Sequence, residues 1–261
     1  MNLEIRNICK TFQTEKGGPV PALEDISLSV REKEFVALVG PSGCGKSTLL
    51  NITAGLLRPD SGEVVFTGTE GREPVSSIVF QETGLLPWRN VRDNIAFGLE
   101  AAGMPEEDQR EIIDHYTSLV GLKGFEKAYP HQLSGGMRQR VGIARALAVN
   151  PSLLLMDEPF SALDAQTRTI MQEELVALWE KSPLTILYVT HNIEEAVQLA
   201  DRVVLLSRRP GKIREILTIP IPRPERNRPE HSAEMASLVQ RIWEHIRSDA
   251  RAALMEVETD E

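Results

Sequence analysis

Four short, unbroken runs of mostly apolar residues constrain this chain more than any other feature. They are Phe35–Val39 (FVALV), Leu153–Met156 (LLLM), Thr185–Val189 (TILYV) and Val203–Leu206 (VVLL). Short runs of this kind suit strands buried on both faces of a parallel sheet. Helix-favouring stretches separate them, and parallel strands alternating with helices specify a layered α/β core. Near the start, Leu3 and Ile5 alternate with Glu4 and Arg6, and Ile26–Val30 alternates likewise, as half-buried strands do. With 261 residues, 41% apolar and 26% charged, the chain can bury a substantial core.

The same arithmetic excludes several classes. No run approaches the roughly 18–20 apolar residues of a membrane span. The opening MNLEIRNICK lacks the apolar stretch of a signal peptide. Lys and Arg number 29 against 38 Asp and Glu, a net charge of -9, so no nucleic-acid partner is expected. Two cysteines, Cys9 and Cys44, cannot alone make a disulfide framework or a zinc site, which points to a reducing, cytoplasmic location.

Segments outside the strands differ in character. Residues 85–145 read as a helical subdomain inserted in the core. There Met104-Pro105 precedes the acidic run Glu106–Glu111, and Ile112, Tyr116, Leu119 and Val120 follow at helical spacing. The flanking 1–84 and 146–219 make the α/β core. From 220 the sequence IPIPRPERNRP predicts an extended connector. The basic stretch Arg208–Arg228 reads as solvated, with anionic lipid or a partner as the alternative. An amphipathic helix over about Ala233–Leu254 closes the 220–261 segment, with Leu238, Ile242, Trp243 and Ile246 on one side. It reads as a packing helix, with a regulatory or partner-binding role as the alternative.

Three motifs carry chemistry. Gly40, Pro41, Ser42, Gly43, Cys44, Gly45, Lys46, Ser47 and Thr48 match GxxxxGK[ST] between a buried strand and a helix. Such glycines let backbone N–H groups curl around phosphate oxygens, Lys46 reaches the β- and γ-phosphates, and the Ser47 hydroxyl ligates magnesium. The run ending Asp157-Glu158-Pro159 brings two carboxylates to a strand's C-terminal edge, where α/β proteins bind ligands. There Asp157 would hold magnesium and Glu158 would polarise a water. Taken alone, the pair is as readily a turn or cap. Ser134, Gly135 and Gly136 open a helix and expose N–H groups suited to an anion. Alone, they read better as an ordinary capped helix.

The order GPSGCGKST, FQE with Gln81, LSGGMRQR, LLLMDEP, SALD (Ser161–Asp164) and THN with His191 resembles the nucleotide-binding subunit of ABC transporters. The resemblance covers residues 1 to about 215. FQETGLLPWRNVRDNIAFGLE, YPHQLSGGMRQRVGIARALA and MDEPFSALDAQTR look like the nitrate/sulfonate/taurine importer group. It implies a P-loop NTPase core of the RecA-like type, an N-terminal antiparallel β part and an inserted helical subdomain. It further implies ATP and Mg2+ as ligands, and a head-to-tail homodimer in which Ser134, Gly135 and Gly136 meet the γ-phosphate held by the partner's Lys46. Glu158 becomes the general base, His191 the switch histidine, Gln81 a sensor of magnesium and water, and Asp164 a residue of the dimer seam. Ser47, Gln81 and Asp157 become the magnesium sphere, and Phe12 the aromatic stacked on adenine. The alternative for His191 is an ordinary strand-end histidine. For Phe12 it is a core aromatic at a strand end, although KTFQT has a loop-like composition.

Leu85, Leu86, Pro87 and Trp88 would receive a helix of the transmembrane permease, with burial inside the helical subdomain as the alternative. The implied place is the cytoplasmic face of the inner membrane, peripherally bound, with an extracytoplasmic solute-binding protein engaged indirectly. Three positions depart from the family pattern: Met137 where Gln is frequent, Asn192 where Asp is more common, and Ser161 where the importer group often has Gly. A soluble ABC-type ATPase acting on nucleic acid or ribosomes is the competing class. It would carry a long coiled-coil insertion or two ATPase domains, and the acidic charge disfavours it.

Overall fold

The structure, a computed structural model, describes residues 1–14, 17–68, 75–181 and 184–259, with 248–259 described by backbone alone. In chain order the elements are β1 (Asn2–Gln13), β2 (Pro19–Val30), β3 (Phe35–Val39), α1 (Lys46–Thr53), β4 (Ser61–Thr67), β5 (Ser76–Val79), α2 (Val91–Ala101) and α3 (Glu106–Leu119). There follow α4 (Gly135–Ala148), β6 (Leu153–Asp157), α5 (Ala165–Lys181), β7 (Thr185–Val189), α6 (Ile193–Leu199), β8 (Arg202–Leu206), β9 (Ile213–Thr218) and α7 (Ser232–Thr259). The chain divides into two compact units, Met1–Glu70 with Leu187–Glu261, and Gly71–Ile186.

In the first unit, β1 is the centre of an antiparallel sheet ordered β2-β1-β4. Leu3 pairs with Val30 and Ile5 with Leu28, which puts their apolar faces in register. A second sheet pairs β3 with β8 in parallel and β8 with β9 antiparallel. Every residue of β3 is fully buried, and each such Val, Leu or Phe contributes about 1.5–3 kcal/mol of hydrophobic burial. Phe12 lies inside β1, paired with Val20, so Lys10–Gln13 of KTFQT is strand and not loop. The strand continues because its register partner, Pro19–Val30, is equally long.

In the second unit, β5 pairs with β6 in parallel, Ser77 opposite Leu154 and Val79 opposite Met156. Helices α2 and α3 both pack on α4. The buried side of α3 is Gln109, Ile113 and Thr117. Ile112, Tyr116 and Leu119 flank it half-buried, and of the four residues read at helical spacing Val120, at the C-terminal cap, is the one that is fully buried.

The C-terminal segment differs most from expectation. The connector is not extended and solvated. It forms 3-10 turns at Arg223–Glu225 and Pro229–His231, and Arg223 and Arg226 are buried. Arg226 Nη1 donates to Gln198 O (2.8 Å) and Val197 O (3.2 Å), and its Nε to Ile221 O (2.9 Å). Arg223 Nε donates to Leu199 O (2.5 Å), and its Nη2 pairs with Asp201 Oδ2 (2.7 Å). The last carbonyls of a helix have no acceptor role inside it, and a cation there also meets the negative end of the dipole. Two arginines thus cap α6. Burial, and then the neighbouring Arg223, push the Arg226 guanidinium down to about 10, still charged at neutral pH. Helix α7 packs on α6 with Ile242 fully buried, while Trp243 is 53% exposed and lies off the packed face. Among the described residues, no helix is long and apolar enough to cross a membrane.

Candidate functional site

The first unit carries the glycine-rich turn. β3 ends at Val39, and the chain turns through Gly43 (φ 74°) and Gly45 (φ 102°) into α1. Both glycines occupy the left-handed region that an L side chain resists. Space forbids one as well at Gly45, where a Cβ would lie 2.5 Å from Leu23 Cδ2 and 2.9 Å from Ala22 O. The first-turn N–H groups of a helix have no acceptor within it, and its N-terminus carries partial positive charge. Lys46 is buried and folds back, donating to Gly40 O (2.8 Å) and Pro41 O (3.0 Å). Cys44 is buried with its Sγ 3.9 Å from Lys46 Nζ. Burial raises its thiol pKa, and the Lys46 charge opposes that rise. Ser42, Gly43 and Ser47 are exposed, and Pro41 and Thr48 half-buried.

His191 is exposed, immediately before the cap of α6. Asn192 Oδ1 accepts from Glu195 N (3.0 Å), Asn192 N donates to Thr190 Oγ1 (3.0 Å), and Thr190 Oγ1 donates to Glu195 Oε2 (2.5 Å). These bonds fix the turn that presents His191. They also account for Asn192, since Asn and Asp cap a helix about equally well. Phe12 is 41% exposed, with Lys10 Nζ 5.8 Å from its ring centroid.

The second unit carries the carboxylates. Asp157 is buried at the end of β6, and Glu158 follows at φ 46°, a strained backbone for a non-glycine residue. Ser161 braces that turn, since both its N–H (3.1 Å) and its hydroxyl (2.9 Å) donate to Glu158 O. Glycine there would keep only the first bond. Gln81 Nε2 donates to Glu158 Oε2 (3.4 Å), so two residues singled out 77 positions apart meet.

Ser134 Oγ accepts from Met137 N (3.2 Å) and caps α4, leaving Gly135 and Gly136 in its first turn. A Cβ on Gly136 would lie 3.1 Å from Leu163 Cδ2 and 3.6 Å from Ala162 O, which places the SGG turn against the SALD segment. Asp164 Oδ1 accepts from Thr167 N (3.0 Å) before α5, which holds its carboxyl below the usual range. Leu85 and Leu86 are half-buried, but Pro87 is exposed and Trp88 is 71% exposed, so the patch ends open and is not buried as a whole.

Two residues escaped the sequence reading. Fully buried Asn94 accepts from Leu86 N (2.9 Å) and donates to Leu86 O, Arg89 O and Asn90 O, clamping the Leu85–Trp88 segment. Arg145 of α4 donates to Gly84 O (2.8 Å) and Thr83 O (2.9 Å), tying α4 to the residues after Gln81. The one available signal for Asn94 was an amide on the apolar side of α2, beside Val91 and Ile95.

The family model described as ABC transporter matches residues 23–161, more than half of the chain. The chain is 51% identical over 226 residues to an uncharacterized ABC transporter ATP-binding protein of Methanocaldococcus jannaschii, covering 86% of this chain and 84% of that protein. It is 49% identical over 220 residues to the nitrate import ATP-binding protein NrtD of Synechococcus elongatus (82% and 80% covered). It is 52% identical over 204 residues to the taurine import ATP-binding protein TauB of Escherichia coli (77% and 80%). Among solved structures, a dimeric bacterial ABC transporter cassette matches with a TM-score of 0.75 at 32% identity, covering 83% of this chain and 98% of that one. A dimeric post-hydrolysis state bound to ADP and Pi matches equally. The fold is that of an ABC ATPase cassette, a P-loop NTPase, and the chain belongs to the ABC transporter family.

Proposed function

We propose that this chain is the ATP-binding and ATP-hydrolysing subunit of an ABC importer, energising uptake of a small solute such as nitrate, sulfonate or taurine through a separate transmembrane permease. The observation that carries the reading is the turn from β3 into α1. Its left-handed glycines and inward-folded Lys46 suit a bound polyphosphate, whose oxygens would replace Gly40 O and Pro41 O as partners of the lysine. The relatives named for nitrate and taurine import favour an importer over the nucleic-acid-acting alternative.

The residues then take these roles. Gly40–Thr48 wraps the phosphates, and Phe12 stacks on the base with an exposed ring face. Glu158 takes the proton of the attacking water, and Gln81, bonded to it, orients that water. His191 steadies the γ-phosphate. Ser47, Gln81 and Asp157 offer hydroxyl, amide and carboxylate oxygens, the hard donors that suit Mg2+, and would hold it. Bound there, the ion would offset phosphate charge.

Two such chains pair head to tail, and Ser134, Gly135 and Gly136 of one complete the phosphate site of the other. The exposed Trp88 patch docks the permease, because an exposed apolar run suits a partner surface. The chain works peripherally on the cytoplasmic face of the membrane, and a solute-binding protein delivers cargo on the far side. The test is affinity purification of the tagged chain from gently solubilised membranes of its native host. A stoichiometric multispanning partner is expected. Recovery only in the soluble fraction, with ribosomes or DNA, would overturn the importer reading.

A further inference from the structure

We propose that the turn between β8 and β9, Ser207–Lys212, is a positioning element for the phosphate loop, with Arg209 and Gly211 as its working residues. The inference rests on the reading of Gly40–Thr48 as that loop.

A glycine-rich loop has little conformational preference of its own, so its peptide planes need an external brace. Five of the six carbonyls from Gly40 to Gly45 can be followed in turn. Gly40 O and Pro41 O accept from Lys46. Gly45 O accepts from Leu49 N within α1. Of the three residues between, Ser42, Gly43 and Cys44, the last two turn their carbonyls outward to the β8–β9 turn. Arg209 Nε donates to Gly43 O at 3.3 Å. Gly211 lies so close to Cys44 O that a Cβ there would fall 2.1 Å from it.

A trans peptide plane points its C=O and N–H in opposite directions. Holding Gly43 O outward therefore turns Cys44 N–H back into the loop, where it donates to Pro41 O (3.3 Å). Holding Cys44 O outward turns Gly45 N–H away from the brace, toward the side on which the reading places phosphate.

The brace is itself well anchored. Ser207 N donates to Lys212 O (2.9 Å), Lys212 N to Ser207 Oγ (3.0 Å), and Ser207 Oγ to Pro210 O (3.1 Å). Gly211 N donates to Ala22 O (2.9 Å), and Gly211 O accepts from Glu24 N (3.0 Å). Residues 22 and 23 are the same ones that crowd Gly45. The turn, the edge of β2 and the loop thus form one continuous contact.

The donor on Arg209 is Nε, the atom at whose place along the side chain glutamine carries Nε2. Arg209→Gln therefore keeps the donor and removes the charge, whereas Arg209→Lys keeps the charge and puts a methylene there. The experiment measures MgATP affinity calorimetrically, with nucleotide-free melting temperature, for the wild type and the Arg209→Ala, Arg209→Gln, Arg209→Lys and Gly211→Ala chains.

Arg209→Ala is expected to weaken ATP binding roughly threefold to tenfold, the worth of one hydrogen bond, with the nucleotide-free melting temperature unchanged. Arg209→Gln should retain most of the affinity, and Arg209→Lys should behave like Arg209→Ala. Gly211→Ala should lose more than any Arg209 variant. Two results would overturn the inference: wild-type affinity in Arg209→Ala, or retention by Lys with loss by Gln, which marks Arg209 as a source of charge alone. A wild-type chain that binds no MgATP would instead overturn the phosphate-loop reading on which the inference stands.

Discussion

Cys44 shows how much one side chain is constrained inside this loop. A Cβ on Gly40 would lie 2.9 Å from its sulfur, and Lys46 Nζ sits 3.9 Å away. The thiol is 1% exposed and its pKa is raised by burial. Thiolate is the reactive form, so a raised pKa means less of it at neutral pH and more as pH climbs. Alkylation by N-ethylmaleimide should therefore strike half-buried Cys9 first, and Cys44 slowly, with a rate that rises steadily between about pH 7 and pH 9. Once bulky, the Cys44 adduct should abolish ATP binding, and bound MgATP should protect it. Peptide mass spectrometry against time, pH and nucleotide reads all of this. Rapid labelling of Cys44 at neutral pH, or full ATP affinity after it, would sink the prediction. The position of Cys44 between Gly43 and Gly45 was plain in the sequence. Its burial was not, because the residues that enclose it include Gly211, far along the chain.

Among the elements, α6 depends most on distant help. It is seven residues long, too short to persist by propensity. Asn192 closes its start, and Arg223 and Arg226 close its end. Arg226→Met would keep much of the apolar stem and strip donors from three carbonyls, those of Val197, Gln198 and Ile221. Leaving buried acceptors unmade costs about 1–3 kcal/mol each, less what the freed site relaxes and the relieved desolvation of the charge returns, so a net loss of about 2–4 kcal/mol is expected. Calorimetry should show the melting temperature falling by roughly 5–15 °C. An unchanged midpoint would mean that Arg226 does not hold the end of α6.

Elements such as β3, β6 and β7 were legible because a run of apolar residues needs only local reading. The SGG start of α4 was legible for the same reason, whereas Asn192 read only as a departure from the family pattern and its cap came from the structure. The clamp on α6 was not. Arg226 stands 28 positions from Gln198, in a segment whose prolines and charges resemble a solvated linker. The same limit hid Arg145 and Asn94, whose partners are backbone groups and leave no trace in composition. Trp243 misled for the opposite reason: it follows Ile242, and on a helix neighbours in sequence face different ways.

At the scale of the whole molecule, the SGG turn poses a question that the chain cannot answer by itself. Ser134 Oγ is spent on capping α4, and Gly136 lies against Leu163. In the proposed dimer this turn acts on nucleotide held by the other copy, so its effect should appear in assembly and not in the binding of ATP to one chain. Glu158→Gln removes the proposed base while keeping the side chain's length, and should hold MgATP unhydrolysed in a stable dimer visible by sedimentation. Adding Ser134→Arg to that variant places a long cation at the dimer seam. The double variant should remain a monomer with MgATP, while its affinity for ATP, measured calorimetrically at low protein concentration, stays within about twofold of a Ser134→Arg chain that retains Glu158 and of the wild type. A fall in monomer affinity would place Ser134 beside the nucleotide of its own chain and refute the head-to-tail arrangement. A dimer that survives the arginine would remove the turn from the seam altogether.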